Sequence, residues 1–352
     1  MSGPQNFVNK IRYCALSLLV LLSTSSGLTA PVEATNQDVP IQIRLKPDKK
    51  TLMLGEPLFF SFEVTNLSGE RLCLALGADY RNKFGRPDSF RVTVSTEDGA
   101  ELPQLEVISL GGFFHCPFIE PGATYTVRLF LSHWASIERP GSYRINVKRQ
   151  TSFSGDEPSG LRTRKYSMLA DVNAEFVVVP FEKNRMGEVI SSLGSVMLDS
   201  SDPRAAESAQ ALASIEDDRV ISYFAEALGK FSDSKSCCYN FNEDVIRSRS
   251  IAALGTYDDD RAIEPLQTAM NSSNEWTRQR VATAFGHSPH KSAFRLLLRM
   301  QDDSYWFVRH TVALRLATVK TIESRTVLHK LLQDENEEVR KASKESLNKL
   351  NQ

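Results

Sequence analysis

The sequence predicts a two-domain β + α chain, in which an antiparallel β-sandwich is followed by an α-solenoid. Two observations carry this. Between residues 39 and 181 apolar residues alternate with polar ones at period two, as in Phe60, Phe62 and Val64 against Ser61, Glu63 and Thr65. Beyond residue 185 the pattern changes, and an arginine returns every 31 residues at Arg247, Arg278, Arg309 and Arg340. Period two marks strands with one buried face. A fixed period of that length, held by several columns at once, marks stacked supersecondary units.

The first element is residues 1–34. Lys10 and Arg12 precede an apolar run from Cys14 to Leu22, followed by small and polar residues up to Ala30 and Ala34. This three-part form predicts a secretory signal peptide, and the run is short for a membrane span. Cleavage is expected after Ala34, with Val32 at minus three; cleavage after Ala30 would leave Pro31 beside the cut. An uncleaved anchor is the alternative. After cleavage no stable membrane insertion is expected, and the protein is exported, to a periplasm or to the cell exterior. Cys73, Cys116, Cys237 and Cys238 then remain, an even number in an oxidising compartment, which favours disulfides. The expected pair is Cys73 with Cys116. The adjacent Cys237 and Cys238 either close a strained small ring, pair elsewhere or stay free, because sequence does not fix connectivity.

Residues 39–181 follow. Phe90, Val92 and Val94 alternate with polar neighbours, as do Tyr125, Val127, Leu129 and Leu131, and then Tyr143, Ile145 and Val147. Turn signals at Leu54-Gly-Glu-Pro57, Glu120-Pro-Gly122 and Arg139-Pro-Gly141 separate the runs. Short half-buried strands with this punctuation predict an antiparallel sandwich. Arg149 to Arg164, rich in Ser, Gly and Thr, reads as an exposed loop before a last strand, Ala174 to Val179. Pro180 to Asn184 marks the domain joint.

Residues 185–352 read as helix pairs. Each arginine is followed seven places later by Leu254, Phe285, Leu316 or Leu347, and Leu266, Leu297 and Leu328 keep a second register. Positions such as Thr277, Val281 and Phe285 share one helical face. Gly255 followed by Asp258-Asp-Asp260 gives a helix stop and a helix start. An earlier copy near Asp202 to Lys230 is offset by 42 residues against the period of 31, which places an insertion around Phe231 to Asn242. A degenerate helix with Val189, Ile190, Leu193 and Met197 precedes it.

These columns, best seen in Val245-Ile-Arg-Ser-Arg-Ser-Ile-Ala-Ala-Leu-Gly255, resemble HEAT-type repeats of the short bacterial kind, an armadillo-like helical architecture. The resemblance implies a binding scaffold with few shared functional residues. Departures are Arg315 and Ser346 in the column of Ala253 and Ala284, and the proline in His287-Ser-Pro-His290. In the strand region, Leu54 to Asn66, Pro121-Gly-Ala-Thr-Tyr125 and Pro140 to Val147 resemble bacterial immunoglobulin-like modules, including a small proteinase-inhibitor family. That resemblance implies an immunoglobulin-like β-sandwich whose loops bind protein.

Chemical motifs are sparse. No nucleophile elbow, dinucleotide fingerprint, P-loop or H-E-x-x-H is present, so neither catalytic residues nor a cofactor is predicted. His287 and His290 flank a proline and lack an obvious third ligand, so no metal site is expected. The acids of Asp258-Asp-Asp260 fit a helix N-terminus better than calcium. A His115, Cys116 or His133 nucleophilic pair would need geometry that the sequence does not show. The net charge of −1 supplies no basic field for nucleic acid.

What remains is binding. Arg247, Arg278, Arg309 and Arg340 are expected to form a structural ladder to neighbouring turns, since a guanidinium fork suits carbonyls and carboxylates there. Trp276, Tyr305, Trp306 and Phe307 lie near the turns entering the first helices, where they either anchor a partner or fill gaps between repeats. Trp306 stands out, because its counterpart one period earlier is Glu275. The expected function is a non-catalytic adaptor for another protein. The alternatives are a proteinase-inhibitor-like module working through the sandwich, or an exported enzyme.

Overall fold

The computed structural model describes residues 34–35, 39–80, 89–105, 113–155, 164–231 and 241–352, which belong to one compact unit. Residues 1–33 of the expected signal segment, and Cys237 and Cys238, lie outside the described residues. The strands in chain order are β1 Ala34–Thr35, β2 Ile41–Pro47, β3 Thr51–Met53, β4 Phe59–Asn66, β5 Leu72–Leu74 and β6 Gly77–Tyr80. There follow β7 Arg91–Thr96, β8 Phe113–His115, β9 Phe118–Ile119, β10 Thr124–Phe130, β11 Gly141–Gly155 and β12 Arg164–Val179. The helices are α1 Lys183–Met197, α2 Ala205–Leu212, α3 Val220–Lys230, α4 Phe241–Leu254 and α5 Asp260–Ala269. The last five are α6 Glu275–Phe285, α7 Ala293–Arg299, α8 Trp306–Leu316, α9 Ile322–Leu331 and α10 Glu337–Leu350.

One sheet has the order β1-β2-β4-β10; the second runs β3-β12-β11-β5-β9, with β7 also on β11, and β6 pairs with β8 separately. The alternating residues of both larger sheets meet in one core, with Ile43, Phe60 and Phe62 from the first and Val94, Ile145 and Phe176 from the second all buried. Period-two patterning has this result because successive side chains point to opposite faces of a strand.

Two features depart from the sequence expectation. The pairing is not wholly antiparallel, since β3 runs parallel to β12 with Val178 opposite Leu52. The chain leaves the first sheet at Pro47 and joins the second at Thr51, so an edge residue run too short to read as a strand closes the other sheet. Of the expected exposed loop Arg149 to Arg164, residues 149–155 and Arg164 are strand, and residues 156–163 lie outside the described residues. Arg149 lies opposite Ala170, Thr151 opposite Met168 and Phe153 opposite Tyr166. The polar side chains of Arg149 and Thr151 turn inward and find partners there. Arg149 reaches the carbonyls of Ala75 and Leu76 and covers the Phe90 ring at 4.3 Å, and Thr151 donates to the Met168 carbonyl at 3.0 Å. A buried polar residue with partners is tolerated in a core, yet it erases the apolar alternation on which the reading depends. Cys73 and Cys116 are joined by a disulfide.

The helices stack so that α2, α4, α6, α8 and α10 each pack on the next, while α3 packs on α5. Their apolar columns form one core, with Ile246, Val281, Val312 and Leu328 at 0% exposure. The helix starts follow local chemistry. Asp259, Asn274, Thr321 and Asn336 each accept backbone N–H bonds at the N-terminus of the helix they precede. Small residues set the spacing between units. A Cβ on Gly255 would lie 2.8 Å from that of Ala284, and one on Gly286 would fall among the Arg315 methylenes. Glycine at 286 is therefore what makes room for an arginine in the column that holds Ala253 and Ala284 in the preceding units.

The two regions share a boundary. Met53 of β3 is buried in the helical core with Met186 of α1. Beside it, the buried Glu56 carboxylate accepts the Met53 N–H at 2.9 Å and pairs with Lys49. Arg128 bridges Asp48 of the sheets and Glu207 of α2, and both carboxylates raise its pKa further.

Candidate functional site

The four sequence-picked aromatic residues come together. Trp276 opens α6, and Tyr305, Trp306 and Phe307 open α8 one repeat later. The Trp276 ring meets Tyr305 and Phe307 edge-on, each with centroids 5.8 Å apart, and Trp306 lies 5.3 Å from Phe307. Edge-to-face contact is the arrangement that the ring quadrupole favours. Trp276 is 49% exposed, an unusual position for a side chain of that size, whereas Tyr305 and Trp306 are half-buried against the helical core. Access therefore favours Trp276, not Trp306, whose ring packs against the helical core.

A fifth ring, His310, was not singled out by sequence. It stacks on Phe307 with centroids 5.6 Å apart and an interplanar angle of 18°, and touches Trp306 as well. Burial pushes its pKa down, against the opposing pull of Glu338 and Glu345, so the imidazole is neutral at ordinary pH. Its Nδ1 is buried without a hydrogen bond among the described residues. The signal for it is helical spacing, since residue 310 lies three places after Phe307 on the same face.

The repeat arginines sit elsewhere, at the joints. Arg278 holds Asp303 through two bonds of 2.7 and 2.8 Å, and Arg309 holds Asp334 at the same two distances. Each guanidinium also donates to a turn carbonyl, of Ser272 for Arg278 and of Asp303 for Arg309, while Arg340 reaches the carbonyl of Asp334 at 2.7 Å. Asp303 and Asp334 in turn accept the N–H groups of Tyr305 and Asn336. Each aspartate thus ties the preceding repeat to the turn that starts the next helix. These two aspartates keep the 31-residue period, a signal present in the sequence and passed over. Ser272 occupies their column in the preceding unit, and Arg247 pairs instead with Asp244 of its own helix, which Arg280 also holds.

Other candidates do not converge. His287 accepts from Arg315 and His290 faces Asp260, so the two imidazoles are committed to different partners. Asp259 accepts the Arg261 N–H and pairs with its guanidinium, as Asp217 does with Arg219. Cys116 is in the disulfide, and His133 meets Gln210 of α2 at 2.6 Å. Among the described residues no group of three or more His, Cys, Asp or Glu is placed to hold a metal ion, and no helix is long and apolar enough to cross a membrane. A cleft of about 660 Å³ lies between the sheets and the helices, lined by Leu52, Met53, Leu58, Ile137, Phe181 and Met186.

The sequence profile of the HEAT repeats matches residues 240–317. No curated protein sequence matches the chain. Among solved structures, human deoxyhypusine hydroxylase in complex with glycerol is 15% identical over 47% of this chain and 74% of its own, with a TM-score of 0.28. A designed armadillo repeat protein in complex with the peptide (KR)4 is 16% identical over 48% of this chain and 84% of its own, with a TM-score of 0.32. Salmonella alpha-2-macroglobulin reacted with methylamine covers 89% of this chain and 26% of its own at 11% identity and a TM-score of 0.22. At these TM-scores the likenesses carry no argument about activity or partner. The matched HEAT-repeat profile covers the units built on α4, α6 and α8.

Proposed function

We propose that this chain is an exported, non-catalytic adaptor that binds another protein through the repeat face carrying Trp276. The observation that carries the reading is the aromatic cluster: five rings in mutual contact, the outermost of them half-exposed at the entry to a helix. Rigid aromatic side chains supported by a packed neighbour are the common anchors of protein interfaces, because they bury large area at little entropic cost. The arginine ladder serves this role indirectly, as a structural brace that fixes one repeat against the next.

In this reading the sheets form an immunoglobulin-like module. The Tyr143 hydroxyl donates to the Arg139 carbonyl at 2.7 Å across the corner that leads into β11, which is the placement of a tyrosine corner. The switch of the first strand between sheets supports it as well. Export follows from the charged, apolar and small-residue order of residues 1–34.

The test is crosslinking in the native compartment followed by affinity recovery, with wild type beside Trp276→Ala. Any protein recovered is purified and its binding measured directly. Loss of an anchor of this kind weakens binding by roughly 2–4 kcal/mol, about 30-fold to several hundred-fold. A partner bound equally by both forms refutes the assignment of the surface. N-terminal sequencing of the exported protein checks the expected cleavage after Ala34.

A further inference from the structure

One edge of the larger sheet is left open. β12 pairs with β11 along its length, but on its other side β3 reaches only Val177, Val178 and Val179. Two bonds fix which backbone groups face that side: the Val177 N–H donates to the Lys50 carbonyl at 2.8 Å, and the Val179 carbonyl accepts from the Leu54 N–H at 2.9 Å. Backbone groups alternate between the two neighbours of a strand, so those of Ser167, Leu169, Asp171, Asn173 and Glu175 face the same way. The Met168 carbonyl, one place out of this register, points to β11 and accepts the Thr151 hydroxyl. Among the described residues those five N–H and five C=O groups make no backbone bond on the open side. β1 approaches β12 but is bonded only to β2. From Tyr166 to Phe176 there is no proline and the register with β11 is unbroken, the one irregularity lying beyond it at Lys165. Proline and bulges are the usual protections of an edge, because unpaired backbone groups template further pairing. Leu169 stands 59% exposed in the middle of this stretch.

We propose that this edge pairs with the same edge of a second copy of the chain, the two β12 strands running antiparallel about a two-fold axis at Ala170. In such an isologous contact each residue meets the one equally far beyond the axis. Ser167 then lies opposite Asn173 of the other copy, Leu169 opposite Asp171 and Lys165 opposite Glu175, while the two Leu169 side chains are diagonal neighbours across the axis. The order of charges along β12 selects this arrangement. Its outward face is basic at Lys165 and acidic at Asp171 and Glu175, and each of these groups already has a neighbour. Arg144 of β11 holds Glu175, Lys148 and Asn146 of β11 hold Asp171, and Lys165 pairs with Glu70. Lys165 of the second copy reaches Glu175 from the side away from Arg144, so the row Arg144, Glu175, Lys165 alternates in sign. An axis at Asp171 would set that carboxylate against its own copy, and a parallel pair in register would set every charge against its like. An axis at Leu169 would bring Lys165 to Asn173 and lose the ion pair. The pairs from residue 167 to residue 173 supply about eight backbone hydrogen bonds. A ladder of this length is at the low end of specific interface areas, so association in the micromolar range is expected. The contact is made by the sheets alone and does not depend on what the repeats bind.

The experiment uses the full exported chain and reads its mass in solution by sedimentation from about 1 to about 200 μM, with hydrogen exchange at both ends of that range. Wild type is expected to pass from monomer to dimer, and the N–H groups of Ser167, Leu169, Asp171 and Asn173 to exchange at least about tenfold more slowly in the dimer. Leu169→Pro removes an N–H that faces the open side and none that bonds to β11, so it is expected to abolish the dimer while circular dichroism shows the fold retained. Lys165→Glu and Glu175→Lys each set like charges across the axis, and each is expected to weaken association about tenfold. An equimolar mixture of those two variants restores opposite charges at both ends of the ladder and should associate to within about twofold of wild type, a recovery that loss of folding would not allow. A chain that stays monomeric at every concentration overturns the proposal. So does a dimer whose four edge N–H groups exchange freely, which places the contact elsewhere, and so does protection of those groups in the monomer, which gives the edge to another segment of the same chain. Charge variants whose mixture associates no better than either alone overturn the register.

Discussion

Removal of the Asp334 carboxylate tests whether the repeats are braced as the geometry implies. The Arg309 and Asp334 side chains are 9% and 6% exposed, and their two parallel bonds of 2.7 and 2.8 Å form a fork on a carboxylate. Asp334→Ala leaves the guanidinium in its buried seat with the Asp303 and Ser304 carbonyls and the exposed Glu335 for partners. Stranding one member of a buried pair costs about 3–5 kcal/mol. Lys330 and Asp302 supply a control within the same repeats, since their side chains are 55% and 66% exposed; Asp302→Ala is expected to cost about 0–1 kcal/mol. The effect should be local, because each unit of a repeat array touches only its neighbours. Hydrogen exchange is therefore the assay, with protection lost in α8, α9 and α10 and kept in α2 to α4, and urea unfolding gives the total. Burial alone would push the Asp334 carboxyl up, yet the bonds from Arg309 and the Asn336 N–H hold it below the ordinary value. The folded state thus binds a proton there less readily than the unfolded chain. Its contribution is full above the unfolded value of about 3.9 and is lost as pH falls towards the lowered folded value. Asp334→Ala should accordingly flatten the acid limb of the stability curve. A cost for Asp334→Ala no larger than for Asp302→Ala, or a loss of protection spread evenly over the helices, would refute the brace.

Three further outcomes are expected. Gly255→Ala should destabilise by about 1–3 kcal/mol in thermal unfolding, since its Cβ would press on the backbone of Ala284, whereas Gly229→Ala, with open space around it in α3, should stabilise by up to about 1 kcal/mol. Tyr143→Phe removes the bond to the Arg139 carbonyl and should cost about 1 kcal/mol in urea unfolding while leaving partner binding by the repeats unchanged. Replacing Cys73 and Cys116 by serine opens a cross-link spanning 43 residues and should cost about 4 kcal/mol on the chain-entropy account, read as a shift in the sheet-region transition that reductant reproduces in wild type.

Sequence by itself determined the periodic parts. The helical columns were legible because a stacked array repeats each environment at a constant interval, so Val281, Val312 and the arginines announce themselves by recurrence. The strands Phe59–Asn66, Arg91–Thr96 and Thr124–Phe130 were legible for the same reason at a shorter period. Where an inward position is polar, periodicity fails, which is why Arg149 and Thr151 read as loop although they lie inside the longest hairpin. Tertiary structure alone decided which residues meet at a distance. It chose Asp303 and Asp334 as the ends of the arginine ladder, seated Met53 of a sheet in the core of the helices, added His310 to the aromatic cluster, and left Trp276 instead of Trp306 in solvent. Exposure and pairing depend on how one unit is set against the next. A local pattern records which face of an element is apolar, while the neighbour that covers that face is fixed only when the chain packs.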